Sequence, residues 1–151
     1  MLDNAKFKFW YGGGSSYIDG TNKTLPVYNI RYLESNSLIN IPDKGIEVLD
    51  TIDEEHRVGR PNVLKDNELF KMYFGSGSDK KPYQLGYAES RDGKNWSRDD
   101  LKLGLPLSSS GWDSEMMAYP CVVKVNNKTY MFYNGNEYGK YGFGYAELVQ
   151  E

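Results

Sequence analysis

The chain is poor in the residues on which most recognisable chemistry is built. It has one histidine, His56, and one cysteine, Cys121. A single cysteine excludes an internal disulfide framework. With one histidine no zinc-type ligand set is available, so no metal and no cofactor is expected. Cys121 falls in an apolar run and reads as a buried, inert thiol. Basic excess is also missing. The formal charge is −3 with both signs interspersed, which argues against nucleic acid or an anionic membrane as partner. No apolar run is long enough to suggest a membrane span. The N-terminus, Met1-Leu2-Asp3-Asn4-Ala5-Lys6, lacks the apolar core of a signal peptide, which points to a cytoplasmic location. No Ser-His-Asp spacing stands out, and Gly12-Gly13-Gly14 lacks the lysine and following helix of a phosphate loop. Helical periodicity is absent from every ten-residue window.

Aromatic residues, by contrast, make up 15% of the 151 residues, and tyrosine alone supplies thirteen. They fall in short runs separated by Asn and Gly. Cys121-Val122-Val123-Lys124-Val125, Thr129 to Tyr133 and Tyr141 to Leu148 read as a three-stranded antiparallel meander. The same unit recurs upstream. Pro61-Asn62-Val63-Leu64-Lys65 matches Pro120 to Lys124, and Lys71-Met72-Tyr73-Phe74 matches Tyr130-Met131-Phe132-Tyr133. Leu85-Gly86-Tyr87-Ala88-Glu89 matches Phe143-Gly144-Tyr145-Ala146-Glu147. A partial first copy holds Phe9-Trp10-Tyr11 and Ile30-Arg31-Tyr32-Leu33-Glu34. Tyr32, Tyr87 and Tyr145 are 55 and 58 residues apart.

Repeats of this length, each with four antiparallel strands, are the signature of a β-propeller. The expected fold is therefore all-β, a single partial propeller domain. It would hold about three four-stranded blades, at residues 1–50, 51–104 and 107–151. A two-sheet sandwich is the alternative, but its strands have no reason to repeat. In the first copy Lys6 to Tyr11 alternates as a strand, Gly12 to Ser16 breaks it, and a loop runs to Pro26 before a strand at Val27 to Glu34. No inner strand is expected before Lys6. In the second copy Asp92-Gly93 supplies a tight turn and Leu101 to Pro106 the outer strand or its exit. The third copy shows no outer strand. Trp10, Trp96 and Trp112 are expected at contacts between blades.

Gly59-Arg60-Pro61, Phe70 to Tyr73, the run Leu85 to Trp96, Tyr130 to Asn136 and Gly142 to Ala146 together resemble the five-bladed β-propeller glycosidase-like superfamily. That superfamily includes glycoside hydrolase families 32, 43, 68 and 130. The likeness is greatest to uncharacterised glycosidase-like proteins of bacterial polysaccharide clusters. It implies a carbohydrate ligand, and glycan cleavage or glycan binding as the activity. It also implies a ring about twice this long, so that only the C-terminal half is present. The open sheet edges then favour self-association or pairing with the absent N-terminal half.

In that family the innermost strands start near the channel mouth. Asp53 to Pro61 and Trp112 to Pro120 are equal in length and end on the same proline. Glycoside cleavage uses two carboxyl groups, one protonated and one as base or nucleophile. Glu55, Asp113 and Glu115 are the candidate catalytic residues, with Asp113 orienting or tuning the acid. Arg60, Tyr119 and His56 are the candidate substrate-binding residues, the arginine as a fork for a hydroxyl pair or a carboxylate. Solvated loop acids are the plainer account of the same carboxylates. Glu34, Glu89 and Glu147 recur at one position in all copies and read as structural. The Arg-Asp-Pro triplet of family 32 is represented only by Gly59-Arg60-Pro61.

Overall fold

The structure, a computed structural model, describes residues 1–149. Each of the three copies folds as an antiparallel sheet unit. The first holds β1 (Leu2–Asp3), β2 (Lys6–Asp19), β3 (Thr24–Ser35) and β4 (Ile46–Leu49), paired in that order. The second holds β5 (Arg57–Asp66), β6 (Leu69–Gly77), β7 (Gln84–Ser90) and β8 (Ser97–Arg98). The third holds β9 (Ala118–Val125), β10 (Lys128–Asn134) and β11 (Phe143–Glu147). A parallel contact between Tyr28 and Arg57 joins β3 to β5, so the first two units form one continuous sheet. Helix is confined to a four-residue 3-10 turn at Asp100–Leu103 and a four-residue turn, α1 (Asn136–Gly139), in keeping with the all-β expectation.

The repeat is a repeat of register. Trp10 faces Tyr32, Tyr73 faces Tyr87 and Phe132 faces Tyr145 across the second and third strands of each unit. Lys8, Lys71 and Tyr130 face Glu34, Glu89 and Glu147 in the same three places. The turns between first and second strands are alike as well: Asn4, Asn67 and Asn126 all adopt positive φ, a conformation asparagine tolerates better than most residues. The recurring glutamates are structural in two units. The Tyr32 hydroxyl donates to Glu34 at 2.6 Å and the Tyr87 hydroxyl to Glu89 at 2.7 Å. The Tyr32 bond and Lys6 hold the Glu34 carboxyl down at about 2. Glu147 instead pairs with Lys128 at 2.7 Å.

The structure departs from the sequence expectation at several places. Gly12 to Ser16 does not end the strand; β2 absorbs it with a bulge between Gly14 and Ser16 and runs on to Asp19. Pro26 lies inside β3, not at the end of a loop, because the hairpin turns at Gly20–Lys23. The first unit does have a strand before Lys6, the two-residue β1. The outer strand of the second unit is Ser97–Arg98, while Leu101 to Leu103 turn helically. Cys121 is exposed, because the face of β9 that carries it has nothing packed on it.

Two junctions hold the units together. Between the first and second, Ile30, Leu49, Val58, Met72, Phe74 and Ala88 form a buried core flanked by Trp10 and Trp96. Both indoles donate to one acceptor, the Gly93 carbonyl, at 2.8 and 3.1 Å. Their rings meet edge to face at 6.3 Å. The turn that presents this carbonyl is fixed by Asp92, whose Oδ1 accepts the Lys94 and Asn95 amides at 2.8 Å each. Between the second and third units, Leu64, Tyr73 and Leu85 meet Met117, Val122, Met131 and Tyr133. Trp112 does not join a junction. It lies over its own sheet, stacked on Tyr133 at 5.3 Å and so close above Gly135 and Gly144 that neither has space for a side chain.

The face of each unit that meets the next is built from equivalent residues. Tyr32 and Tyr87 are therefore 2% and 7% exposed, while Tyr145, their counterpart in the third unit, is 64% exposed. Likewise Leu85 is 7% exposed and its counterpart Phe143 71%. With Val123 and Phe132 these residues leave an aromatic face uncovered on the third sheet.

The Gly93 turn provides a test of the first junction. Gly93 has φ +76°, and a Cβ there would lie 2.8 Å from the Trp10 ring; Gly104 has φ +64° and open space around it. An alanine in this left-handed conformation costs about 1–2 kcal/mol. Gly104→Ala is expected to lose about that much in urea denaturation, and Gly93→Ala measurably more. Equal losses would mean that the Trp10 contact carries no stability.

Candidate functional site

One end of the molecule collects the segments singled out by the sequence. The tip of the β2–β3 hairpin, the β6–β7 loop, the residues before β9 and the β10–β11 loop are stitched together there. Thr21 donates its amide and hydroxyl to Asp79 at 2.9 and 2.7 Å. The Tyr28 amide donates to the His56 carbonyl, and the His56 amide to the Gly77 carbonyl. The Met117 amide donates to the Tyr83 carbonyl at 2.9 Å, carrying the network into the third unit. Asn136 closes it, its Oδ1 accepting the Glu115 and Met116 amides at 2.9 and 3.0 Å.

β5 and β9 enter this end through the same irregularity. Arg60 and Pro61 together oppose the single residue Phe74, and Tyr119 and Pro120 together oppose Tyr133. Each is a β-bulge, which locally re-aims side chains. Proline donates no hydrogen bond and so fits the unpaired position. Arg60 and Tyr119 adopt φ +54° and +59°, a region that disfavours non-glycine residues. The bulges bring the two side chains together across the second junction, with the Arg60 guanidinium 5.0 Å from the Tyr119 ring centre. Such a contact is worth about 0.5–1 kcal/mol where solvent reaches it.

The carboxylates occupy three different environments. Glu55 is committed: Arg98 grips both its oxygens at 2.8 and 2.9 Å, and the Ile52 amide donates to one of them at 3.1 Å. Burial alone would raise its pKa, but the hydrogen bonds from Arg98, Ser76 and Ile52 and the arginine charge outweigh it and lower the carboxyl from its ordinary 4.5. A carboxyl held ionised is poorly placed to act as a general acid. Asp113 is buried and accepts the Tyr133 hydroxyl at 2.9 Å, which with burial pushes that phenol up to about 12. Glu115 is exposed, and its carboxylate has no ion-pair or hydrogen-bond partner among the described residues. Of the three it alone is free.

His56 does not reach the surface. It is 3% exposed beneath the long hairpin, with Nδ1 3.1 Å from the Pro26 carbonyl. A carbonyl only accepts, so Nδ1 carries a proton, and Nε2 is left buried without a partner. The sequence alignment sets His56 against Glu115, yet one is sealed and the other open, because only the second unit has a hairpin folded over this position. No group of three or more His, Cys, Asp or Glu side chains suited to a metal occurs among the described residues.

Sequence reasoning missed Tyr28, Arg57, Tyr83 and Tyr138. The Arg57 guanidinium lies 4.3 Å from the Tyr83 ring centre, Tyr83 meets Tyr138 at 6.0 Å, and Tyr138 stacks on Tyr119 at 6.2 Å. Burial raises the Tyr83 hydroxyl pKa against the opposing pull of Arg57. A signal for two of these was present: Tyr28, Tyr83 and Tyr141 each stand four residues before the repeated Tyr32, Tyr87 and Tyr145. Cavities of about 490 and 570 Å³ lie elsewhere, along the seam between the second and third units, lined mainly by Leu, Val and Met.

A β-rich, glycosidase-like fold is what this architecture matches among solved structures. The likeness includes a silkworm (Bombyx mori) family 32 β-fructofuranosidase, with TM-score 0.66 and 19% identity over 100% of this chain and 32% of that one. A sucrose-6-phosphate hydrolase from Lactobacillus gasseri has TM-score 0.60 and 21% identity over 88% of this chain and 26% of that one. A further glycoside hydrolase has TM-score 0.59 and 17% identity over 95% and 41%. In sequence the chain is 31% identical to two uncharacterized proteins of Mycobacterium tuberculosis, from strains H37Rv and CDC 1551. Each alignment runs over 149 residues, 98% of this chain and 48% of the relative, so the chain spans about half the length of the curated relatives it matches. No family model matches it.

The Arg98 clamp gives a pH-dependent prediction. A carboxyl whose pKa is lowered by folding adds stability above its unfolded pKa and loses it as the pH falls through the folded value. Glu55→Gln is expected to destabilise the protein at pH 7 by an amount between the roughly 0–1 kcal/mol of an exposed pair and the roughly 3–5 kcal/mol of a buried one. Its deficit should shrink as the pH drops below about 4. A deficit that stays constant down to acid pH would show that the carboxylate charge contributes nothing.

Proposed function

We propose that the chain forms three consecutive blades of a glycosidase-like β-propeller and that the end shared by β5 and β9 recognises a glycan. The observation that carries this reading is the matched pair of bulges. They set Arg60 against Tyr119 across two neighbouring inner strands, at the end where the carboxylate of Glu115 is free. Backbone held in a disfavoured region is retained where it aims a side chain to a purpose. Aromatic rings there suit the apolar faces of sugar rings, and arginine suits their oxygens. The fold neighbours act on sugars by their own names, which supports the same reading.

Binding rather than complete catalysis is the role best supported for these residues. Hydrolysis needs two carboxyl groups across the scissile bond, and Glu55 is occupied while Asp113 is sealed beneath Trp112 and Tyr133. Glu115 then serves as the acid–base carboxyl only with a second carboxylate from outside the chain. Titrating neutral and acidic oligosaccharides into the protein by NMR, beside an aryl-glycoside turnover screen, tests the proposal. Tyr119→Ala is expected to weaken glycan binding about tenfold. In a longer protein with turnover, Glu115→Gln is expected to slow it by about 10²–10⁴-fold. Absence of saturable binding to any glycan refutes the reading.

The uncovered face of the third unit is proposed to pack against a further sheet of the same kind. It repeats, position for position, the face by which the second unit holds the third, and the relatives are about twice as long. In the isolated chain a second copy is the available partner, and closed two-fold pairing is the default for identical chains. Light scattering is expected to show dimers at micromolar concentration that the Phe143→Lys, Tyr145→Lys double variant converts to monomers. Monomers before the substitution would refute this pairing.

A further inference from the structure

We infer that the arginine–tyrosine cluster at the shared end receives an anionic group, a carboxylate or phosphate carried on a sugar. The inference rests on the glycan reading above and narrows it to a substrate class.

The contacts form one unbroken series: Arg57 on Tyr83, Tyr83 against Tyr138, Tyr138 on Tyr119, and Tyr119 under Arg60. The series begins and ends on β5. Arg57 and Arg60 are three residues apart on that strand, so their backbones lie within about 10 Å, and the series carries a guanidinium at each end. Tyr119 and Tyr138 are 36% and 49% exposed, so their rings remain open to solvent.

Both guanidiniums lack a counter-charge. The chain carries 21 acidic residues against 18 basic ones, yet neither Arg57 nor Arg60 has a carboxylate within ion-pair distance among the described residues. Arg98, by contrast, is saturated by Glu55 and Asp100. Arg57 gives one Nη2 hydrogen bond to the Ser78 carbonyl, and its Nε is buried without a partner. Arg31 and Arg91 also have no carboxylate partner among the described residues, but only Arg57 and Arg60 of these four lie over rings of one aromatic series. A guanidinium stacked on a ring keeps its N–H donors in its own plane, pointing past the ring edge, where they match the paired oxygens of a carboxylate or phosphate. A neutral sugar would leave both charges uncompensated once it displaced water from them.

The test uses the 151-residue chain and three probes, galactose, galacturonic acid and galactose 6-phosphate, titrated by NMR, with inorganic phosphate as a fourth. The expected result is binding of one or both acidic sugars about tenfold or more tighter than galactose. That preference should shrink when salt is raised from about 0.05 to about 0.5 M. Arg60→Gln, at an exposed position, and Arg57→Gln should each erase most of the difference between acidic and neutral sugar. Which acidic sugar binds identifies the anion. Equal affinity for galactose and both acids, or a preference that survives both substitutions, overturns the inference and leaves the glycan reading standing. Inorganic phosphate binding as tightly as galactose 6-phosphate overturns the sugar part. No saturable binding by any sugar overturns the glycan reading, and the inference with it.

Discussion

An antiparallel sheet with one apolar face is stable only when something apolar covers that face, and the arrangement of this protein follows from that constraint. Each unit presents its Tyr- and Leu-bearing face to the unit that follows. The first covers itself with the second, around Phe74, Met72 and Ile30, and the second with the third, around Leu85, Val122 and Met131. The junctions differ in their polar fastening. The first uses one carbonyl, Gly93, as acceptor for two indoles. The second uses the Asn62 side chain as acceptor for the Val122 amide at 3.0 Å. Both place a directional bond at the seam of an otherwise non-directional contact, and so fix how the sheets sit on each other.

The same stacking brings the starts of β5 and β9 side by side. Here the fold spends stability. Arg60, Tyr119, Glu137 and Tyr138 sit at positive φ, a histidine nitrogen and an arginine nitrogen are buried unpaired, and two arginines lack counter-ions. Arg98 is matched with Glu55 and Asp100, Lys65 with Asp3 and Lys71 with Asp66, while Arg31 and Arg91 also have no carboxylate partner among the described residues. Local conflict concentrated at one end of a consistent structure is the pattern expected where function has overridden packing.

Much of the fold was legible because each repeat carries its register in Tyr and Glu at fixed offsets, and because Asn and Gly mark the turns. The bulge at Gly14 to Ser16 was not legible. Three glycines weaken a strand, but they also let its backbone approach another, and Gly12 lies close against Gly59 and Arg60. His56 was chosen by linear alignment with the third copy and Glu55 for its place in the same segment, which locates residues along the chain but not what covers them. The Arg98 clamp comes from β8, and the hairpin above His56 from the first unit. Neither has a counterpart in the third unit among the described residues. Arg60 and Tyr119 were found by the same alignment because the bulge that displays them belongs to the repeat itself.

Each bulge also settles the parity of its strand. Side chains on a regular strand alternate, so residues five apart point to opposite faces. Val58 and Val63 are five apart and both pack against the first core, because Arg60 and Pro61 share one place in the ladder. The extra residue therefore works as a phase correction between an upper strand that builds the open end and a lower strand that builds the core. The identity of the displayed side chain is free to vary, arginine in one copy and tyrosine in the other. The number of residues is not: removing one would turn half the strand inside out. Variation at these two places is thus open to substitution and closed to insertion or deletion.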